Sequence, residues 1–404
     1  MLRRVTAALA TSALLGGAAA ASGPDPANWE AVLAEARGQT VYWYAWGGSS
    51  AVNDYIAWAA AEVQARHGVA VEHVKLADTA DAVSRVIAEK TAGKDAGGAV
   101  DLIWINGENF AAMKQQGLLF GPWAEQLPNW QYVDVAGKPT LRLDFTVPTE
   151  GLEAPWGMAQ VVFYHDTARL ADPPRSSRAL LEWARQNPGR FAFPQPPDFL
   201  GSTFLKQVLT ELAPDPAVLQ RPVNETQDAA LIAALWTYMD ALTPNLWRGG
   251  KAYPQNGSRL IQLMADGEID IAISFDPNEA SNAIANLQLP DTVRTYVHSG
   301  GTIGNANFVA IPYNASAKAG AMVLANFLLS PEAQARKADP AIWGSGTVLA
   351  MDRLPPAARA SFASLALGVA SLPPEQLGNA LPEPHPSWMV YLEKEWIARF
   401  GSGQ

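Results

Sequence analysis

A chain of 404 residues, 49% hydrophobic and 17% charged, has enough apolar material for two or three domains and does not read as a disordered chain. Its net charge of −10 and pI near 5.1 argue against an electrostatic grip on nucleic acid or on an anionic membrane surface. It has no cysteine, which removes disulfides, thiol chemistry, cysteine metal sites and a cysteine-linked lipid.

Residues 1–22 read as a secretory signal: Arg3 and Arg4, an apolar middle over 5–17, and small residues at Ala18 to Ala21 for cleavage. No later segment has the roughly 20 unbroken apolar residues of a membrane span. The expectation is a soluble periplasmic protein without membrane insertion.

Asn28 is placed to cap a short amphipathic helix over 28–36. Residues 41–46, Val-Tyr-Trp-Tyr-Ala-Trp, form a strand-length run that Gly47-Gly48 breaks, and Ser49 or Ser50 is placed to cap the helix that follows to Arg66. A strand over 69–74 and a helix over 81–91, with Val83, Val86 and Ile87 on one face, repeat the unit. Residues 99–106 read as a strand buried on both faces, opening through Gly107-Glu108-Asn109 into a helix near 110–116. Three strand–helix units in succession predict a parallel, doubly wound sheet.

After an irregular stretch over 121–153, an extended run occupies 154–166. Helices are expected at 178–186, 204–212, 228–242 and 258–266, a short strand at 190–193, and a loop at 199–203. Residues 269–275 are a second buried strand, ending in Asp276-Pro277-Asn278-Glu279. Its grammar, an acid, an apolar strand and polar residues at a helix start, repeats that of 100–108, which points to two α/β lobes face to face. Glycine-rich extended chain returns over 300–312, then helices at 316–329 and from 331, and proline-punctuated helix to an amphipathic stretch over 388–400.

In open α/β sheets ligands bind where strands run into helices. Trp43, Trp46 and Trp156 with the acids Glu108, Asp276 and Glu279 suit a cationic, partly flat solute, through charge pairing and cation–π contact. Asn109 follows Glu108 at the same helix start. Gly47, Gly48 and Ser49, and Ser202 and Thr203 after Gly201, are instead helix starts suited to a phosphate or carboxylate. A zwitterion or phosphorylated cation uses both kinds of group. Tyr253, Trp247, Asn305 and Asn307 are further candidates. All but Glu108, which has no capping explanation, have an ordinary reading beside the functional one: alternation buries some of the aromatics in the core, Asp276 and Glu279 form a capping-box-like helix start, the serines and Thr203 cap helices, and the rest pack or turn.

Motifs for nucleophilic, phosphate-binding, dinucleotide or zinc chemistry are missing. The five histidines are scattered, and His67 and His73 have no third ligand in sight, so neither a metal nor a cofactor is expected. The rival reading is a secreted α/β hydrolase or lyase using an acid pair such as Asp101 and Asp276.

The order of these pieces resembles the extracellular solute-binding proteins of bacterial ABC importers, close to the polyamine-, iron- and thiamine-binding branch and its YnjB-like lineage. The resemblance is carried by Val41-Tyr-Trp-Tyr-Ala-Trp-Gly-Gly48, by Asp101-Leu-Ile-Trp-Ile-Asn106 with Gly117-Leu-Leu119, and by Ala154-Pro-Trp-Gly157 running into Val162-Phe-Tyr-His-Asp166. Phe308-Val-Ala-Ile-Pro312 with Ala325-Asn-Phe-Leu-Leu-Ser-Pro-Glu-Ala-Gln334 completes it. The resemblance implies a type II binding-protein fold, each lobe a doubly wound sheet flanked by helices, with hinge crossings near 154–164 and 300–311. Lobe 1 is expected over 23–153 plus 301–340, lobe 2 over 154–300, and a helical segment packed on the lobes over 341–404. It further implies a monomer without catalysis that closes on a small polar, thiamine- or polyamine-like solute and delivers it to an inner-membrane ABC permease. A solute-binding partner of a sensor is the variant reading. The paired tyrosines of the ferric-ion members are missing at the matching places, which disfavours iron.

Overall fold

The computed structural model describes residues 23–378 and 380–401. The expected secretory signal lies outside the described residues. Ten strands run in chain order: β1 (Thr40–Trp46), β2 (Ala70–Leu76), β3 (Leu102–Ile105), β4 (Leu143–Asp144), β5 (Val147–Pro148), β6 (Glu153–Gln160), β7 (Val162–Asp166), β8 (Ile271–Ser274), β9 (Val293–Tyr296) and β10 (Gly304–Ala310). A five-stranded sheet has the order β2-β1-β3-β10-β6, and a three-stranded sheet the order β8-β7-β9. In the first sheet β1 pairs parallel with β2 and β3, whereas β10 runs antiparallel to β3 and β6. In the second sheet β7 lies antiparallel to both neighbours, so it departs from the purely parallel winding that the shared strand grammar predicts. The reason is that 154–166 is two strands and not one: β6 belongs to the first sheet and β7, reached in one step through Val161, to the second.

Each sheet supports its own apolar core. The first draws on residues 32–156 and 306–354, the second on 161–303 and 370–396. The C-terminal segment is thus shared: Trp343, Val348 and Leu354 enter the first core, and Ala370, Trp388 and Trp396 the second. The chain crosses near Val161, near Ile303 and between 354 and 370. The first two crossings are bonded to each other, Val161 N donating to the Ile303 carbonyl at 2.7 Å and Gln160 Nε2 to Thr302 Oγ1 at 3.1 Å.

Local chemistry explains the elements beside the gap. In β1 the inward residues Val41, Trp43 and Ala45 alternate with outward ones, so Trp46 stays exposed at the strand end. Ser49 caps the helix Ser50–His67 by accepting from Val52 N, and Asn28 caps Trp29–Ala36 in the same way. The helix Phe199–Leu212 starts earlier than expected, because Asp198 accepts from the amides of Leu200 and Gly201 and so caps it upstream of the anticipated loop. Ten consecutive residues of this helix, from Gly201 to Thr210, are buried. Among the described residues no helix is long and apolar enough to cross a membrane.

Candidate functional site

The two cores meet along a seam that the helix Pro386–Phe400 spans, packing against Phe199–Leu212 of the second core and Gly107–Gln115 of the first. At one end of the seam Ser258 Oγ of the second half donates to the Gly48 carbonyl of the first at 3.2 Å. Between these contacts lies a set of carboxylates from both halves: Asp78, Glu108 and Asp144 on one side, Asp198, Glu383 and Glu393 on the other.

The centre of the set is Lys206, on Phe199–Leu212 and fully buried. Its Nζ lies 2.7 Å from Glu383 Oε2, 4.4 Å from the centre of the Phe145 ring and 5.1 Å from that of Phe199. Glu383 also accepts from Asn305 Nδ2 of β10 at 3.1 Å. Phe145, at the tip of the β4–β5 hairpin, has a left-handed backbone with φ 53°, an uncommon state for a bulky residue, and its ring packs against Gly107. Gly107 itself has φ 58°, and a Cβ there would lie 2.6 Å from the Phe145 ring, so the glycine is what lets the hairpin tip reach the seam.

Burial raises four acids of this set, Glu108, Asp144, Asp198 and Glu393. Desolvation pushes Glu108 up to about 7, against the opposing pull of the Lys206 charge, and Glu393 and Asp78 push the same way as burial. Glu108 Oε1 accepts from Asn109 Nδ2 at 2.6 Å, while its Oε2 is shielded from solvent and takes no hydrogen bond. Burial likewise raises Asp144, whose Oδ2 accepts from Gly107 N and whose Oδ1 takes no hydrogen bond. Asp198 is pushed up to about 6 by burial despite its two amide partners, and Glu393, which accepts from Ser202 Oγ at 2.7 Å, is raised by the same cause.

The structure brings together only part of the residues the sequence pointed to. Glu108, Asn109, Ser202 and Asn305 belong to the network around Lys206, and Trp46, Gly47, Gly48 and Ser49 form the rim at Ser258. The Trp46 indole lies over Gly48, where a Cβ would meet it at 2.3 Å and force the ring to move. Trp43 and Trp156 are fully buried in the first core, in T-shaped contact at 5.2 Å, and Trp156 also packs on Trp343, which reaches Asp276 of the second half. Tyr253 is buried in the second core against Phe193 and Trp396, and Thr203 is buried within its helix.

Asp276 and Glu279 form a separate group. The N-cap of Glu279–Ala285 is Asn278, so the expected capping box is not made; Asp276 Oδ1 takes Asn278 N and its Oδ2 takes Trp343 Nε1 at 3.0 Å. Glu279 sits under Ser274, and burial raises both acids. The helix start at 201–203, offered for an anion, is already occupied by the Asp198 carboxylate. Asp101, one half of the rival acid pair, accepts from the amides of Tyr42, Ser316 and Ala317 deep in the first core, so it ties β1 to the start of the helix Lys318–Leu328. Among the described residues no group of three or more metal-ligating side chains is assembled.

Lys206, Phe145, Phe199, Asp144, Glu383 and Glu393 escaped the sequence reading. One signal was present: Lys206 is the only charge between Asp198 and Glu211, in a stretch whose other residues are apolar or small apart from Gln207, and a helix hydrophobic almost all round is a buried one.

Two α/β halves joined by paired crossings, with charged and aromatic groups gathered at their seam, define a two-lobed solute-binding protein. The chain belongs to the bacterial extracellular solute-binding protein family, whose pattern matches residues 58–351. It is 44% identical over 375 residues to Protein YnjB of Escherichia coli (strain K12), covering 93% of this chain and 94% of that one. Its fold matches the periplasmic binding protein AfuA of Actinobacillus pleuropneumoniae, solved with fructose-6-phosphate bound, at a TM-score of 0.65 and 14% identity over 90% of this chain and 99% of that one. A putative spermidine/putrescine ABC transporter protein of Listeria monocytogenes matches at 0.64 and 18% identity, over the same shares. The architecture is therefore the α/β periplasmic-binding-protein fold, and the role is solute binding without catalysis.

Proposed function

We propose that this protein is the periplasmic receptor of an ABC importer, holding a small organic cation or zwitterion, thiamine- or polyamine-like, in the seam between its lobes and passing it to an inner-membrane permease. The observation that carries the reading is the sign of the seam: carboxylates from both lobes face one another with Lys206 as their shared counter-charge. Bringing the lobes together costs repulsion and desolvation among these acids, which a bound cation offsets, so the solute stabilises the closed form by touching both halves. The expected lobe partition, moved at its borders so that β6 and part of the C-terminal segment join the first half, supplies the hinge at the crossings near Val161 and Ile303. A phosphate-first reading is weaker, because Asp198 fills the helix start that would receive the anion.

Native mass spectrometry of the purified protein, followed by calorimetric titration with spermidine, putrescine, thiamine and a sugar phosphate, tests this. An organic cation or zwitterion is expected, weakened at least about tenfold by Glu108→Gln, as for loss of a desolvated charge partner. Binding of the sugar phosphate alone, indifferent to Glu108→Gln, would overturn it.

A further inference from the structure

Lys206 is placed as a bound ammonium would be. Its stem rises from the second half, but its Nζ rests on an aromatic ring from each side, Phe145 from the first half and Phe199 from the second, at 4.4 Å and 5.1 Å. Two rings and one carboxylate around a desolvated ammonium are the elements by which proteins recognise alkylammonium ligands. Its carboxylate, Glu383, is tied in turn to Asn305 on β10 of the first sheet. The ammonium thereby links the halves through groups that belong to neither sheet's core. Phe145 holds its left-handed backbone at this point, and its ring fills the space that the missing side chain of Gly107 leaves.

We propose that Lys206 is a tethered stand-in for the solute's cation: it occupies an alkylammonium cage formed by Phe145, Phe199 and Glu383, competes with the solute for that cage, and thereby sets which cations bind. A solute has to displace Lys206 from the rings or bring further positive charge to Glu108 and Asp144, whose buried Oε2 and Oδ1 take no hydrogen bond. A cation with a single small charge gains little by the exchange, whereas one with two charges, or a large flat face, gains. This deepens the cation reading of the seam and rests on it for the solute, but the cage itself can be tested without any solute.

Lys206→Ala removes three carbons and the ammonium, which propylammonium restores as a free ion. The thermal midpoint of Lys206→Ala is measured against propylammonium chloride, with potassium chloride and 1-propanol at equal concentration as controls. The cage predicts saturable recovery by propylammonium only, lost again in Lys206→Ala/Phe145→Leu. Recovery by all three additives, or by none, overturns it, since a plain structural ion pair has no reason to prefer an alkylammonium. Lys206→Met, which retains the stem's volume, carries the competition test and also serves if the alanine variant fails to fold. Affinity for the cation that binds the wild type is expected to rise at least about fivefold, a differential gain on removing a competitor. A fall in that affinity shows that Lys206 contacts the solute itself and ends the proposal. If the wild type binds no organic cation while propylammonium still recovers Lys206→Ala, the functional reading fails and the cage stands.

Discussion

Two lysines in this protein are fully buried over pairs of aromatic rings, yet they are set up for different ends. Lys206 has a carboxylate at 2.7 Å and rings at 4.4 and 5.1 Å. Lys337 has rings closer, Trp156 at 4.0 Å and Trp343 at 4.3 Å, but its direct partner is the Trp156 carbonyl at 3.0 Å, and desolvation drives its amine well below the usual lysine range, opposed only by the more distant Asp276 charge. Aromatic faces alone do not keep an ammonium charged in the interior; a paired carboxylate is what repays the lost hydration. The first lysine is thus part of an electrostatic seam. The second, its amine pushed down by burial, packs into the space beside Gly157, where an added Cβ would lie 1.7 Å from its Nζ.

The largest effect expected from this difference is on stability. Lys206→Met leaves Glu383 buried without its counter-charge and should cost about 3–5 kcal/mol in urea unfolding. Lys337→Met should cost under about 1.5 kcal/mol, since volume is conserved and Gln334 Nε2 still donates to the Trp156 carbonyl at 2.8 Å. Equal costs would erase the contrast.

Next comes the division between the two acid groups. Glu108→Gln should lower cation affinity by about 1.4 kcal/mol or more, whereas Glu279→Gln, beside Ser274 and Asp276, should leave it unchanged in the same titration.

The pH dependence follows from the raised acids. Glu108, pushed up to about 7 by burial, stays protonated in the fold while the unfolded chain ionises from about pH 4.4 upward. Stability of the unliganded protein should therefore fall as pH rises from about 4.5 to about 7 and then level off, with Asp198 and the Asp276–Glu279 pair adding in the same direction. Thermal melts across that range should show it, and Glu108→Gln should flatten the upper part. A bound cation should reverse the trend, giving its greatest melting shift above pH 7. The smallest effect belongs to the rim: Ser258→Ala removes one exposed hydrogen bond to Gly48, and its cost should stay near about 0.5 kcal/mol.

Much of the frame could be read from residue order. Asn28 and Ser49 cap the helices they precede, and β1, β2 and β3 alternate with helices where the apolar runs and glycine breaks say they should. The site was legible only in fragments. Period-two alternation in β1 says that Trp43 and Trp46 face opposite ways but not which of them meets the core, so Trp43 was as good a cleft candidate as Trp46 until the sheet was assembled. Asp276 and Glu279 suit a cap on spacing, but only one Asp276 oxygen serves the helix start, at Asn278 N, and the other takes Trp343 Nε1, 67 residues away.

By itself the sequence determined the local pieces: caps, strand ends and apolar faces depend on neighbours a few residues apart, and those interactions are present wherever the segment goes. The tertiary structure alone decided which charges meet. Glu383 lies 177 residues from Lys206, and Glu393 lies 191 from Ser202; no periodicity links positions so distant, and their energies exist only once the fold has removed water from between them. The seam's acidity, and the lysine set within it, are properties of two halves brought together.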